Sequence, residues 1–289
     1  MNRLFVVLIL VVMAPIGIFA QELPYFVTYS HHMEEPGSLE IESKTATGRP
    51  DGGNRFAADA VELEYGTRAW WTSELYLEGQ KTAKDSTVFT GFRLENRIRP
   101  LLREHWINPV LYFEFEDING ANRSLLEVVG HDSNSDLTVS NAEGRADKQR
   151  EGELKLILSS NAKGWNFAEN VIAEKNLGHA AWEFGYALGV SRPLRLAGGA
   201  HSGLFAPENF ALGGELYGGL GDKDSFGLRD TSHYFGPTVN WSGPGGLTLT
   251  GSPSFGLNGN SVARIYRVGL SYEIGQVSRF FKANQQGDR

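Results

Sequence analysis

The sequence predicts an all-β protein, an antiparallel up-and-down transmembrane β-barrel of about 12 strands, and three observations carry that expectation. Apolar and polar residues alternate with period two over successive runs of about ten residues, longer than the roughly five to six common in soluble sheets and enough to cross a tilted bilayer core. Aromatic residues recur near the ends of the apolar faces, as Trp71, Trp165, Trp182, Trp241 and Tyr272 do, where membrane interfaces hold them. The face opposite the apolar one is charged, which suits a lumen better than the dry core between two soluble sheets.

Composition narrows the classes. The chain has 289 residues, a net charge of −7, 35 Gly and no Cys. An acidic chain without a basic tract excludes nucleic acid as a partner, since phosphate binding needs clustered Lys and Arg. Without cysteine there are no disulfides or thiolate metal sites, and no cofactor motif is present.

At the N-terminus, Arg3 precedes the apolar run Leu4 to Met13, then Pro15, Gly17 and a cleavage point after Ala20. This is the layout of a secretory signal peptide over residues 1–20, with a retained anchor as the rival because Ile18 stands where a small residue is usual. No later stretch approaches the ~20 apolar residues of a membrane helix. A membrane location therefore demands a closed barrel, because an open sheet leaves unpaired backbone groups in lipid.

Residues 21–37, with Tyr25, Phe26, Tyr29 and the cluster His31, His32, Met33, are expected as a periplasmic lead-in or a short first strand. The barrel is expected over 38–274. Leu39 and Ile41 oppose Glu40 and Glu42. Val61, Leu63 and Tyr65 oppose Glu62 and Glu64, and Gly66 with Thr67 reads as a tight turn. Trp71, Leu75 and Leu77 oppose Glu74, Tyr76 and Glu78. Val88, Phe92, Leu94 and Ile98 oppose Arg93, Glu95, Arg97 and Arg99, and Leu111, Phe113 and Phe115 oppose Tyr112, Glu114 and Glu116.

The connection Asp117 to Arg150 is rich in Asn, Asp, Gly and Ser, with Leu125–Val129 and Leu137–Val139 as short-strand candidates. Alternation resumes at Leu154, Leu156 and Leu158, in WNFAENVIAEKN, and in AWEFGYALGV, where Trp182, Phe184, Tyr186, Leu188 and Val190 share a face. Four glycine-rich runs follow, Leu194–Gly203, Phe210–Leu220, His233–Trp241 and Leu247–Leu257. With Val262–Ile274 the candidates number thirteen, while single-chain bacterial barrels have even counts. Twelve is the expectation and fourteen the alternative, the surplus lying near Gly221–Thr231 or at the N-terminus.

In the last run Val262, Arg264, Tyr266, Val268, Leu270, Tyr272 and Ile274 share a nearly apolar face. Its Arg267, Gly269, Tyr272 and Ile274 resemble the C-terminal assembly signal of Gram-negative outer-membrane barrels. The runs LGGELYGGLGD, HYFGPTVNW, LTLTGSPSFGLN and IYRVGLSYEI are similar in spacing and Gly-Pro placement to outer-membrane channels and transporters of the phenol-degradation-pathway type. The resemblance covers roughly residues 181–274 and carries over no site residue. It implies an outer-membrane location, lipids and the barrel-assembly machinery as partners, and small solutes as cargo. Residues 275–289 are then a C-terminal tail.

The lumenal candidates are Glu62, Glu64, Glu74, Arg93, Glu95, Arg97, Arg99, Glu114 and Glu116. Facing charges of both signs either line a narrow pore or fill a closed structural barrel. Two other classes compete: a secreted lipocalin-like binder, and a lipid-modifying enzyme using His201 with Ser202 or His233 with Ser232. Neighbouring residues on a strand face opposite ways, which disfavours either pair as nucleophile and base. The same geometry disfavours His31 and His32 as joint metal ligands. No enzyme activity and no metal site are expected.

Overall fold

The computed structural model describes residues 24–178, 181–196 and 203–277. Twelve antiparallel strands close into a barrel: β1 (Leu39–Gly48), β2 (Phe56–Arg68), β3 (Trp71–Thr82), β4 (Thr87–Ile98), β5 (Asn108–Asn119), β6 (Lys148–Ala162), β7 (Trp165–Asn176), β8 (Glu183–Pro193), β9 (Phe210–Asp222), β10 (His233–Ser242), β11 (Leu247–Gly256) and β12 (Arg264–Ile274). Each strand pairs with its neighbours in sequence, and β1 closes on β12 from Leu39↔Ile274 to Gly48↔Ile265. Closure removes both sheet edges, the condition for a sheet in lipid.

The alternation sorts side chains between lipid and lumen. Leu77, Leu94, Leu111, Phe113, Leu154, Leu156, Val268 and Leu270 are each about half exposed on the outer face, while Tyr76, Glu95, Tyr112, Glu114, Lys155 and Arg267 are buried inside. Aromatic pairs ring the end that holds the chain termini: Trp70 on Trp71, Trp165 on Phe167, and Phe205 on Trp241. The β4–β5 and β8–β9 connections lie at this same end, and the longest, Gly120–Asp147, sits at the opposite end.

The structure corrects the sequence in five places. The thirteenth candidate, Leu194–Gly203, is not a strand: β8 pairs directly with β9, Leu194–Leu196 and Gly203 lie in the connection, and 197–202 fall outside the described residues. Removing it restores even parity and moves the Gly221–Thr231 connection to the end that holds Gly120–Asp147. Leu125–Val129 and Leu137–Val139 are not strands either, because they fold into the lumen. Val88 faces inward at 7% exposure and Phe89 outward at 63%. The cause is a bulge in β4: Gly79 pairs with Phe89 but Glu78 with Gly91, so Thr90 is an extra residue and the faces swap. Val262 is fully buried ahead of β12, which begins at Arg264.

The fifth correction concerns Gly66, which lies within β2; the turn follows at Ala69 and Trp70. A Cβ on Gly66 would stand 2.0 Å from the Glu35 carbonyl oxygen. The glycine is a doorway past which the N-terminal segment enters the barrel. Residues 24–37 accordingly lie inside the lumen, neither as a periplasmic lead-in nor as a strand.

Candidate functional site

Two inserts occupy the lumen, one from each end. The first is the strap Pro24–Gly37. Its Phe26, Val27 and Thr28 amides all donate to the single carboxylate of Glu215 on β9, at 3.0, 2.9 and 2.7 Å. Asn170 on β7 takes the Tyr29 amide at 2.6 Å and returns a bond to the Tyr29 carbonyl at 2.8 Å. A buried extended segment must satisfy its backbone groups, and here the barrel wall does so. The Tyr29 hydroxyl donates to Glu95 at 3.0 Å, and its ring packs edge-on against Tyr112.

The fully buried His31 fixes the far part of the strap. Its amide donates to Ser159 Oγ at 2.9 Å, its Nδ1 also bonds that hydroxyl, and its Nε2 lies 3.0 Å from Glu104. Burial, opposed by Glu104 and reinforced by Arg99, pushes the His31 pKa below the ordinary imidazole value. The trio superficially suggests a hydrolytic relay, yet Ser159 is 3% exposed and neither lumenal cavity reaches it.

The second insert is the loop Gly120–Asp147. Leu126 packs on Ala60 and Tyr76, and Val128 joins Tyr217, Tyr234 and strap residues Phe26 and Val27 in one apolar cluster. Arg123 donates to Thr82 Oγ1 at 2.9 Å, and Asn122 bonds Glu78.

Between the inserts, paired charges fill the barrel. Arg93 lies 3.0 Å from Glu78 and 3.2 Å from both Glu114 and Glu116, and also bonds Glu127 of the loop. Arg97 lies 2.6 Å from Glu74 and 3.4 Å from Glu95, and also bonds Glu64. Lys44 holds Glu62 at 2.6 Å, and Lys155 holds Glu153 at 2.9 Å over the ring of Tyr112. Buried ions of this number persist only because each has an opposite partner. Glu62, Glu64 and Glu74 bring carboxylate oxygens within 4.8 Å of one another, but Lys44 and Arg97 already stand among them.

Eight of the nine predicted lumenal residues meet in this network. Arg99 does not: it lies past the end of β4, donates to the Leu101 carbonyl at 2.8 Å and approaches Glu104 at 3.4 Å. The sequence reasoning missed Lys44, Glu78, Lys155, Glu153 and Glu215 as partners. Their inward parity was the available signal for all five, whereas Glu127 sits on an irregular loop that no periodicity could assign. Of the enzyme candidates, His201 and Ser202 lie outside the described residues. His233 bonds Tyr186 and Thr231, while Ser232 donates to the Asn260 carbonyl. His31 has both ring nitrogens engaged, and His32 Nδ1 bonds Ser30.

Two cavities are lined by the described lumenal residues. One, of about 180 Å³ at the termini end, is lined by seven carboxylates, among them Glu40, Glu42 and Glu64, against Lys44 and Arg97. The other, of about 380 Å³ at the loop end, is lined by seven carboxylates, among them Glu116, Glu151, Glu174 and Glu183, against Arg93 alone.

A closed barrel with an apolar outer band, aromatic residues at its rim and a charged interior has the architecture of a membrane-spanning β-barrel. No protein-family model and no curated protein sequence matches the chain. Among solved structures it is similar to a KdgM porin, at 8% identity and a TM-score of 0.49 over 81% of this chain and 98% of that one. It is also similar to an outer-membrane channel from Pseudomonas putida F1, at 12% identity and a TM-score of 0.49 over 84% and 97% of the two chains. LpxR from Salmonella typhimurium shows 9% identity and a TM-score of 0.42 over 81% and 99%. Likeness at this level concerns barrel architecture, so cargo has to be argued from this chain's own lumen.

Proposed function

We propose that this protein is an outer-membrane conduit for small solutes, that it prefers cations, and that its own N-terminal strap holds it shut at rest. One observation carries the preference: seven carboxylates against one guanidinium line the loop-end cavity. A confined site with such an excess of one sign concentrates counter-ions and repels co-ions. The pairing of Arg93 and Arg97 keeps the middle compact, so flux requires the strap to move. Residues 1–20 are proposed as the export signal and β12 as the element read during assembly. No turnover is proposed.

Reversal potentials across planar bilayers under a salt gradient test the preference. The double variant Glu151→Gln/Glu174→Gln should shift the reversal potential toward zero while leaving heat-modifiable gel mobility intact. A potential left unchanged in the double variant, or directed to anions in the parent protein, contradicts this account of cation preference.

A further inference from the structure

The wall has a seam. Tyr234 and Phe235 on β10 pair with Gly256 and Phe255 on β11, and pairing resumes in the same register at Val239 and Gly251. Between them Gly236–Thr238 and Ser252–Ser254 face each other unpaired. The register places Pro237 opposite Pro253, and neither has an N–H to give. One rung therefore loses both of its hydrogen bonds, and the rungs above and below lose the bonds that define them. On their other sides both strands stay paired, β10 with β9 through Gly236↔Glu215 to Thr238↔Gly213, and β11 with β12 through Ser252↔Arg267 to Ser254↔Ile265.

The wall is also thin here. Toward lipid the seam itself presents only Pro237 and Pro253, bounded by the outward Phe235 and Phe255 on one side and by Val239 with Gly251 on the other. Toward the lumen it presents Gly236, Thr238, Ser252 and Ser254. The hydroxyls of Thr238 and Ser252, on residues 4% and 3% exposed, have no hydrogen-bond partner among the described residues. Ser252 Oγ lies across the seam against Gly236, where a Cβ would stand 2.7 Å from it, while Thr238 Oγ1 lies over Gly213 of the neighbouring β9, where a Cβ would also stand 2.7 Å away. A buried hydroxyl without a partner is costly, and a ligand with a polar group relieves that cost. The termini-end cavity reaches Thr250, the next inward residue of β11.

We propose that the β10–β11 seam is a lateral port through which small uncharged amphiphiles pass between lumen and bilayer. The hydroxyls of Thr238 and Ser252 meet the polar end of such a molecule while its apolar body slips between Pro237 and Pro253. Elsewhere in the wall, parting two strands breaks ladder bonds that lipid cannot replace. At this rung those bonds are already missing. The port stands apart from the axial cation path, since hydrocarbon rejects the charged solutes that the axis favours.

The chain lacks cysteine, so Ser252→Cys introduces a single thiol on the lumenal side of the seam. Ala60→Cys on β2 is the control, fully buried on the lumenal face with both of its ladders intact. The probe is an uncharged long-chain N-alkyl maleimide confined to the bilayer of proteoliposomes, and only the folded, heat-modifiable band is scored. Ser252→Cys should label roughly fivefold or more faster than Ala60→Cys, the factor that one ladder hydrogen bond supplies. Pro237→Val/Pro253→Val, or Pro253→Val alone should the double variant fold poorly, should abolish that advantage. Equal labelling of the two thiols, or an advantage that survives proline replacement, overturns the port. Salt-gradient conductance of the same proline variants reads the axial path separately and should not change.

Discussion

Among single residues, the lumenal cations are unequal. Arg93 holds four carboxylates together, so its removal leaves them facing one another without a counter-charge. Arg93→Leu is expected to cost about 3–5 kcal/mol, seen as a lower urea midpoint for loss of the folded gel form. Arg99→Ala, which removes a bond to the Leu101 carbonyl and 3.4 Å contacts to the His31 carbonyl and the half-exposed Glu104, should cost less, about 1 kcal/mol. Equal effects would contradict the division of the predicted ladder into a core network and a rim residue. His31 gives a pH dependence. Its pKa is lowered in the docked strap, so the undocked strap binds a proton more readily, and docking weakens as pH falls through and below the ordinary imidazole value of about 6.5. The groups facing His31 are Glu104, Arg99, Ser159, Asn161 and His32. The neighbouring His32 is pushed down to about 4, chiefly by burial, and acts in the same sense, so proteolysis of the strap should quicken on acidification from neutrality in the parent protein and lose most of that dependence in His31→Gln/His32→Gln. Docking that tightens with acid would contradict the sign.

Among elements, strands were legible wherever lipid imposed one face on every second residue, and illegible wherever backbone geometry broke that rule. The β4 bulge is the clearest case. Gly91 has a φ of +152°, and a Cβ there would stand 2.2 Å from the Asp117 carbonyl oxygen, so the bulge needs glycine but leaves no periodic mark. Gly91→Val should destabilise the barrel by more than about 1 kcal/mol, whereas Gly251→Val, whose Cβ would meet only Val239 at 3.8 Å, should not. The strap and the loop Gly120–Asp147 were illegible for another reason: their backbone and polar side-chain groups are satisfied by wall residues far away in sequence. The bonds from Glu215 to Phe26, Val27 and Thr28 span nearly two hundred positions. The run Leu194–Gly203 misled because alternation in sequence also occurs between strands: β8 ends at Pro193 and pairs directly with β9. For β12, Gly269 faces the lumen, where a Cβ would stand 2.6 Å from Glu42 Oε1, while Arg267 donates to the Tyr217 hydroxyl at 3.1 Å. Truncation after Val277 should leave assembly of heat-modifiable barrel intact, and Tyr272→Ala should reduce its yield; the reverse pattern would place the assembly signal beyond Val277.

For the whole molecule, the architecture is a rigid wall with a removable interior. The ladders involve no strap residue, so the strap can leave without opening the cylinder. Glu215 and Asn170 hold the strap from Phe26 to Tyr29, and Glu95, Ser159 and Glu104 hold it at Tyr29 and His31. The excess of carboxylates over cations in both cavities then governs what enters the cleared lumen. The most direct measurement is single-channel recording of the Glu215→Ala/Asn170→Ala variant beside the parent in planar bilayers under a salt gradient. The expected result is rare openings in the parent and frequent, cation-preferring openings in the variant. A folded variant that stays silent, or one that opens with anion preference, would contradict a strap-closed cation conduit.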